Sequence, residues 1–278
     1  MAVSEPKCLR GFQSCFLRDT PTSLVRIRLL WKYGIGNRGL KGNLGNFFNL
    51  GVNETAVEKI KSANLKQVTL DTHNLNRWAW EDGAVHIAEN CHWFGDNLPG
   101  CYESLAPIFR VKYKATPKPA NQFLGTKVNI AWHVRRGDVV DRNGLPRIPK
   151  RYTSNSSLLR IYDCVVAASR ALDLKSEGHL FSDGDPAGFD DFANRGIFLH
   201  VNESAFSTFH HLVLADVLNM AKSLFSYVAG ILSEGVKIYE GFWHKPLPGW
   251  MVVDQNELKC NGSGIACRSA SELARTRG

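Results

Sequence analysis

The second half of the chain alternates between short apolar runs and longer amphipathic segments. Val128 to Val134 is an apolar run without a turn residue, typical of a buried strand in a parallel sheet. Residues 156–172 place leucine, isoleucine and valine on one broad face, which predicts a helix. The same reasoning predicts strands at 178–182, 196–201, 216–221 and, as the last strand, 236–239, with helices at 204–214 and 223–233. Regular alternation of this kind predicts an α/β fold with a doubly wound parallel sheet.

The first half gives weaker patterns. Strands are predicted at Leu24 to Trp31 and at 68–70, and Thr55 to Glu58 fits a capping box that opens a helix ending near Asn64. Residues 74–101 contain three tryptophans and receive no assignment; such aromatics more often pack internally than stack on a sugar.

A linker is predicted at Thr116 to Pro119, because prolines stop both helices and strands. We therefore expect an N-terminal domain over residues 23–119, a C-terminal domain over 120–255 and a tail over 256–278.

Composition narrows the class of protein. The 278 residues are 44% hydrophobic, enough for two modest domains or one large one. No apolar run approaches the roughly 18 residues of a membrane span, and the N-terminus lacks the apolar region of a signal peptide. We expect either a cytoplasmic protein or a chain that is incomplete at its start. The net charge of +8 favours phosphorylated or polyanionic partners, while the scattered basic residues do not favour nucleic acid.

Seven cysteines form no C-x-x-C pair, so a zinc site is not expected. The sequence permits local disulfides between Cys91 and Cys101 and between Cys260 and Cys267. Four N-x-[ST] sequons favour a secretory lumen, at Asn53, Asn155, Asn202 and Asn261.

The candidate chemistry begins where the strand of Val128 to Val134 ends. His133, Arg135, Arg136 and Asp138 follow one another there, and ligands of open α/β sheets bind outside the carboxyl ends of strands. Two adjacent guanidiniums repel each other unless an anion neutralises them, and arginine holds phosphate oxygens in a planar fork. The pattern predicts a phosphate or pyrophosphate ligand. The alternatives are a surface turn with an Arg–Asp pair and, less favoured after a buried strand, an adhesion tripeptide at Arg136 to Asp138.

A second anion site is predicted where residues 223–233 begin their helix. Ser223 is placed at the N-cap and Ser226 at N3, and the free N–H groups of a helix start attract anions. The alternative is a capping serine without a ligand.

Three further patterns carry weaker predictions. Asp183 and Asp185 form a D-x-D that either holds Mg²⁺ or Mn²⁺ or, as we favour, makes a turn with Asp183 facing the crevice as an acceptor. Of His210 and His211, one ring is expected to point inward and the other outward, and either ring could contact a ribose. Residues 33–39 form a G-x-G loop that brings backbone close to a phosphate or sugar, or a simple tight turn.

Together these residues resemble the GDP-fucose-dependent fucosyltransferases of the α1,2/α1,6/protein O-fucosyltransferase superfamily. The stretch from His133 to Asp138 is similar to the family's H-x-R-R-x-D motif, and Phe181 to Asp183 to its second motif. Residues 215–226 are similar to its third motif, with Leu224 in place of a usual serine. Gly34, Gly36, Asn37 and Arg38 are similar to its G-x-G-N-[RQ] loop.

The resemblance implies a GT-B fold, in which two Rossmann-like domains face a cleft, here with a short N-terminal domain. It implies inverting transfer of fucose from GDP-fucose to a hydroxyl of a glycan or glycoprotein acceptor, without a metal or other cofactor. Arg135 would be the catalytic residue, stabilising the departing diphosphate as charge develops. The residues expected to bind the nucleotide sugar are His133, Arg136, Asp138, Asp183, His210, Ser223, Phe225, Ser226, Gly34, Gly36, Asn37 and Arg38.

This function would place a eukaryotic protein in the Golgi or another secretory lumen, where protein glycosylation occurs, if the N-terminus is incomplete; otherwise in the cytoplasm. Two alternatives stay open. One is another sugar-nucleotide transferase that uses a metal through Asp183 and Asp185. The other is a non-catalytic carbohydrate- or polyanion-binding protein on the same fold, which the short first domain and Leu224 suggest.

Overall fold

A computed structural model of the chain describes residues 24–26, 44–49, 64–69, 84–87, 96–97, 100–123 and 125–253. The chain divides into two compact units, residues 1–117 and 118–278, and the division falls within the stretch from Thr116 to Pro119. Among the described residues, no helix combines the length and apolar character needed to cross a membrane.

The described part of the first unit contains three parallel strands and two helices. The strands are β1 (Leu24–Arg26), β2 (Gln67–Thr69) and β3 (Val85–Ile87), in the order β1-β3-β2. The helices are α1 (Leu44–Phe48) and α2 (Cys101–Lys114), which meet where Phe47 packs edge-on against Tyr113, with ring centroids 5.5 Å apart.

The short strand predicted at 68–70 is confirmed as β2. Strand β3 and helix α2 have no counterpart in the sequence prediction. The predicted strand beyond Arg26, most of the predicted helix at 55–64 and the G-x-G loop lie outside the described residues.

The second unit is built on a six-stranded parallel sheet, which confirms the predicted α/β alternation. Its strands are β4 (Val128–Arg135), β5 (Ser176–Asp183), β6 (Phe198–Val201), β7 (Val217–Met220), β8 (Val236–Glu240) and β9 (Met251–Val253). The helices between them are α3 (Asn155–Ala171), α4 (Asp190–Ala193), α5 (Ala205–Leu214) and α6 (Leu224–Leu232), with 3₁₀ turns at Pro149–Arg151 and Pro186–Phe189. The prediction that 236–239 is the last strand is wrong, because β9 pairs with β8 beyond it.

The two faces of this sheet differ in chemistry because side chains alternate along each strand. Ile130, Trp132 and Val134 point to one face, where they join the main hydrophobic core under helix α3. Burying each such side chain stabilises the fold by roughly 1.5–3 kcal/mol. The opposite face of β4 carries His133, which lies level with Phe181 of β5. The histidines of β4 and β5, His133 and His179, therefore lie on the face opposite this core.

The strand order identifies where a ligand is expected. Along the sheet the strands run β6-β5-β4-β7-β8-β9, so the chain builds outward from β4 in one direction and then from β7 in the other. This is the doubly wound order of dinucleotide-binding folds, in which ligands sit outside the carboxyl ends of the strands where the order reverses. In this sheet the reversal lies between β4 and β7, which pair directly through Trp132 and Asn219.

Candidate functional site

The turn after β4 presents a guanidinium held by a carboxylate. Arg135 Nε donates to Asp138 Oδ1 at 2.6 Å, and its Nη2 bonds the other carboxylate oxygen. This hydrogen bonding lowers the pKa of Asp138 below its usual range. A guanidinium has five N–H donors, so three remain without a partner among the described residues. Arg135 is thus fixed in orientation while still able to bind an anion.

Asp183, at the end of the neighbouring strand β5, holds the backbone of this turn through hydrogen bonds. Its Oδ1 accepts hydrogen bonds from the backbone amides of Arg136 and Gly137, at 3.2 and 3.3 Å. The approach is so close that a Cβ on Gly137 would lie 2.7 Å from Asp183 Oδ2. Asp185 also makes a turn, since its Oδ1 accepts from the amide of Ala187 at 3.0 Å. The D-x-D carboxylates are therefore both bonded to backbone.

Arg136 is directed into the protein. Its Nη2 donates to the carbonyl of Thr153 at 2.9 Å and to Asn155 Oδ1 at 2.8 Å, and its guanidinium lies 4.5 Å above the Tyr152 ring. Burial lowers its pKa. These hydrogen bonds connect the turn after β4 to the start of helix α3. Arg136 therefore stabilises the backbone around the site.

His133 places a ring nitrogen, Nδ1, in the site. Its Nδ1 is buried and has no hydrogen-bond partner among the described residues. Burial lowers its pKa to about 4, against the opposing charge of Asp183, so the ring is neutral at pH 7. The ring packs against Phe225, with centroids 5.2 Å apart, which brings the end of β4 to the start of helix α6. A buried polar atom without a partner carries a free-energy cost that a ligand can relieve.

Helix α6 begins as the sequence predicts. Ser223 is the N-cap, and its Oγ accepts from the amide of Phe225 at 3.3 Å. Ser226 occupies N3, but it is fully buried and its hydroxyl donates to the carbonyl of Ala221 at 3.0 Å. The helix start thus offers backbone N–H groups and a positive dipole end to an anion, while the Ser226 hydroxyl stabilises the turn.

A part-buried charge network beside this helix start was not predicted. Lys222, which precedes the N-cap, forms an ion pair with Glu240 at the end of β8. Thr153 Oγ1 donates to the other Glu240 oxygen at 2.6 Å, and its carbonyl accepts from Arg136. The network joins the carboxyl ends of β4, β7 and β8 into one supported edge.

His210 belongs to a different group of imidazoles. It lies beside His211 on α5, and burial lowers its pKa to about 4. His211 Nδ1 donates to the carbonyl of Ser207 at 2.8 Å, and its Nε2 accepts from the amide of Gln122 at 3.1 Å. Both rings are buried, so the expectation that one of them faces outward is wrong. Helix α5 covers the polar face of the sheet and buries them both.

The same face of the sheet carries two more histidines, His179 and His200, which are part of a chain of hydrogen bonds. His179 Nδ1 and His200 Nε2 are 3.1 Å apart, and His200 Nδ1 lies 2.9 Å from Glu203 Oε1. Glu177 Oε1 is 3.3 Å from His179 Nε2 at the inner end. Within the described residues, no group of three or more His, Cys, Asp or Glu side chains is arranged to hold a metal ion.

Several predicted residues lie outside the described part of the chain. They include Gly34, Gly36, Asn37 and Arg38, and the cysteines Cys91, Cys260 and Cys267. Cys101 and Cys164 are each disulfide-bonded.

Comparisons with protein-family models, with curated proteins and with solved structures each found no match. Arg135 and His133 lie at the end of β4, where the strand order reverses, and His133 contacts Phe225 at the start of helix α6. Within the described part of the chain, three N–H donors of Arg135 and Nδ1 of His133 have no partner. Such an arrangement can bind a diphosphate and stabilise negative charge that develops on it.

Proposed function

We propose that the chain is a glycosyltransferase that transfers fucose from GDP-fucose to a hydroxyl of a glycan or glycoprotein acceptor, with inversion. The observation that carries the proposal is Arg135, which Asp138 orients at the end of β4, next to the reversal of strand order. His133 of the same strand packs against Phe225 at the start of helix α6. The sequence motifs at 133–138, 181–183 and 215–226 support guanine and fucose as the particular base and sugar.

The chemistry that we propose needs a stabilised leaving group. The acceptor oxygen attacks the anomeric carbon from the face opposite the diphosphate, and the new C–O bond forms as the bond to the β-phosphate oxygen breaks. The bonding electron pair leaves with GDP, while the acceptor hydroxyl releases its proton to solvent. Negative charge therefore grows on the β-phosphate, where Arg135 and the N–H groups at the start of α6 stabilise it.

We propose that the second unit holds the nucleotide sugar, as the C-terminal domain of a GT-B enzyme does. The carboxylates of Asp183 and Asp185 are bonded to backbone amides, which supports donor binding without a metal bridge at these residues. The disulfide bonds of Cys101 and Cys164 support an oxidising compartment, in keeping with glycosylation in a secretory lumen.

A thermal-unfolding titration tests the proposal. We expect GDP to raise Tm, with UDP and ADP raising it less at equal concentration, and Mn²⁺ or EDTA leaving the GDP effect unchanged. At a free concentration of about 100 times Kd, binding to the folded state alone adds roughly 2.7 kcal/mol of stability. Calorimetry with GDP then supplies the affinity.

The outcomes separate the alternatives. Tighter binding of UDP or ADP would overturn the guanine assignment, and a requirement for Mn²⁺ would favour a metal-dependent sugar-nucleotide transferase. No response to any nucleotide would favour a non-catalytic relative. Transfer itself is measured by GDP release from GDP-fucose in the presence of a panel of glycan and glycoprotein acceptors.

A further inference from the structure

The segment that follows the Arg135 turn is an exposed and strongly basic loop. Residues 141–151, which we call the basic loop, contain four basic side chains and the single carboxylate of Asp141, for a net charge of +3. Arg142, Arg147 and Lys150 are exposed, and none of them forms an ion pair within the part of the chain that the structure describes. Uncompensated charge of one sign at a fixed place on the surface attracts a ligand of opposite charge.

The basic loop has a defined backbone. Asp141 Oδ1 accepts from the amides of Asn143 and Leu145 at 2.8 and 2.9 Å, and the amide of Arg147 donates to the carbonyl of Val139 at 2.7 Å. Gly144 supplies the positive φ of 78° that the turn requires. The carboxylate of Asp141 is therefore used to fold the loop rather than to pair with its cations, and the cations project from a fixed frame.

An exposed aromatic ring adjoins this loop. Trp243 is 58% exposed, and the guanidinium of Arg151 lies 4.3 Å from its ring centroid. Two tyrosines hold the segment that carries Trp243. The Tyr239 hydroxyl donates to the carbonyl of His244, and the Tyr227 hydroxyl donates to the carbonyl of Lys245 at 2.7 Å. An exposed indole on a backbone that is held in this way loses little conformational freedom on binding, which suits it to contact a ligand.

The basic loop and Trp243 lie close to the candidate site. The loop begins three residues after Asp138. Arg151 at its end is near enough to Arg135 and Asp138 for their charges to alter its pKa, which partial burial lowers first and the charge of Arg135 lowers further. A ligand seated on Trp243 and the loop would therefore reach toward the Arg135 turn.

We propose that the basic loop and Trp243 bind an anionic glycan, one that carries carboxylate or sulfate groups, as the acceptor for transfer. This inference rests on the proposed function, because it names the class of acceptor for the same site. The cations pair with the acidic groups of the glycan, and the apolar face of a pyranose ring lies on the indole. A neutral glycan would gain only the stacking contribution.

Binding of dextran sulfate and of unsulfated dextran of equal length tests the charge contribution, with oligogalacturonate as the carboxylated probe. We expect the wild-type protein to bind both anionic probes and to bind dextran at least about tenfold more weakly. Arg147→Glu with Lys150→Glu should weaken binding of dextran sulfate by about tenfold or more and flatten its salt dependence.

A matched control removes the effect of net charge. Arg170→Glu with Lys175→Glu makes the same charge change on exposed side chains at the other end of α3, the edge at which β5 starts. We expect this pair to bind dextran sulfate within about twofold of wild type. Trp243→Ala should weaken binding by about tenfold, and Trp243→Phe should recover most of it because it keeps an aromatic face.

Affinity for GDP, measured on the same variants, distinguishes the two proposals. We expect GDP binding to be unchanged in the basic-loop and Trp243 variants. If GDP does not bind to the wild-type protein, the proposed function fails, whether or not dextran sulfate binds. If GDP binds but the control pair weakens dextran sulfate binding as much as the basic-loop pair, the further inference is overturned. It is also overturned if a single-stranded oligothymidylate binds more tightly than dextran sulfate and depends on Trp243.

Discussion

Arg135 ends strand β4, and Asp138, three residues later, accepts two hydrogen bonds from one edge of its guanidinium. The arginine side chain is only 15% exposed, whereas the carboxylate is 46% exposed. The pair therefore adds little to stability, but it fixes the plane of a guanidinium whose other three N–H donors have no partner among the described residues. Orientation of a catalytic charge is the role that we assign to Asp138.

Asp138→Asn tests that positioning role. We expect kcat to fall by about tenfold, because the neutral amide orients Arg135 less firmly, while KM and GDP affinity change little. Tm should stay near that of wild type. The split between kcat and KM is the informative readout, and equal losses in GDP affinity and kcat would instead make Asp138 a direct ligand contact.

Gly137 lies in close contact with Asp183 in the turn after β4. A Cβ there would lie 2.7 Å from Asp183 Oδ2 and 3.0 Å from its Cγ. Gly137→Ala should destabilise the protein by about 1–3 kcal/mol, the usual cost of overpacking. Gly188→Ala is the matched control, because nothing lies within 4 Å of its added Cβ. Thermal unfolding compares them, and equal Tm values would show that Asp183 moves aside freely.

Three histidines with lowered pKa values predict loss of stability in acid. Burial lowers the pKa values of His133, His179 and His210 to about 4. In the unfolded chain each ring titrates near its ordinary value of about 6.5, so as pH falls from there the unfolded state takes up protons first. The stability that the neutral rings maintain is complete above pH ~6.5 and is lost as pH falls toward 4. For His133 alone the full effect is on the order of 3 kcal/mol.

Urea unfolding at pH 7.5, 6, 5 and 4.5 measures this dependence. His210→Gln should show a smaller loss between pH 7.5 and 4.5 than wild type, because one site of proton uptake by the unfolded chain is gone. A free energy of unfolding that stays constant across this range would contradict the assignment of neutral, buried rings.

Much of the second unit follows from local sequence signals. Helix α6 was predicted because Ser223 marks its start, and β4 because an apolar run ends abruptly in charge. Strand β9 was missed because its three residues directly follow residues 245–250, whose two prolines and glycine indicate a loop. Helix α2 was missed because Pro107 lies inside it, and an internal proline argues against a helix on local grounds.

The candidate site could be predicted only in part. The sequence predicts that Arg135 and Arg136 act together on one anion. Adjacent side chains of an extended segment, however, point to opposite sides. The structure accordingly sends Arg136 to Thr153 and Asn155. The contact between Thr153 and Glu240 spans 87 positions and arises from the strand order, which local patterns do not contain.

The most direct test of the account is turnover by Arg135→Ala and Arg135→Lys, measured together with GDP affinity by calorimetry. If Arg135 stabilises the leaving diphosphate, its charge matters more in the transition state than in the bound ground state. We expect Arg135→Ala to lower kcat by about a hundredfold or more, with a smaller loss of GDP affinity, because the start of helix α6 still binds the phosphates. Arg135→Lys should rescue poorly, since an ammonium lacks the planar fork. An alanine variant that folds and turns over at nearly the wild-type rate would contradict the account, and one that fails to fold would make Arg135 a structural partner of Asp138 instead.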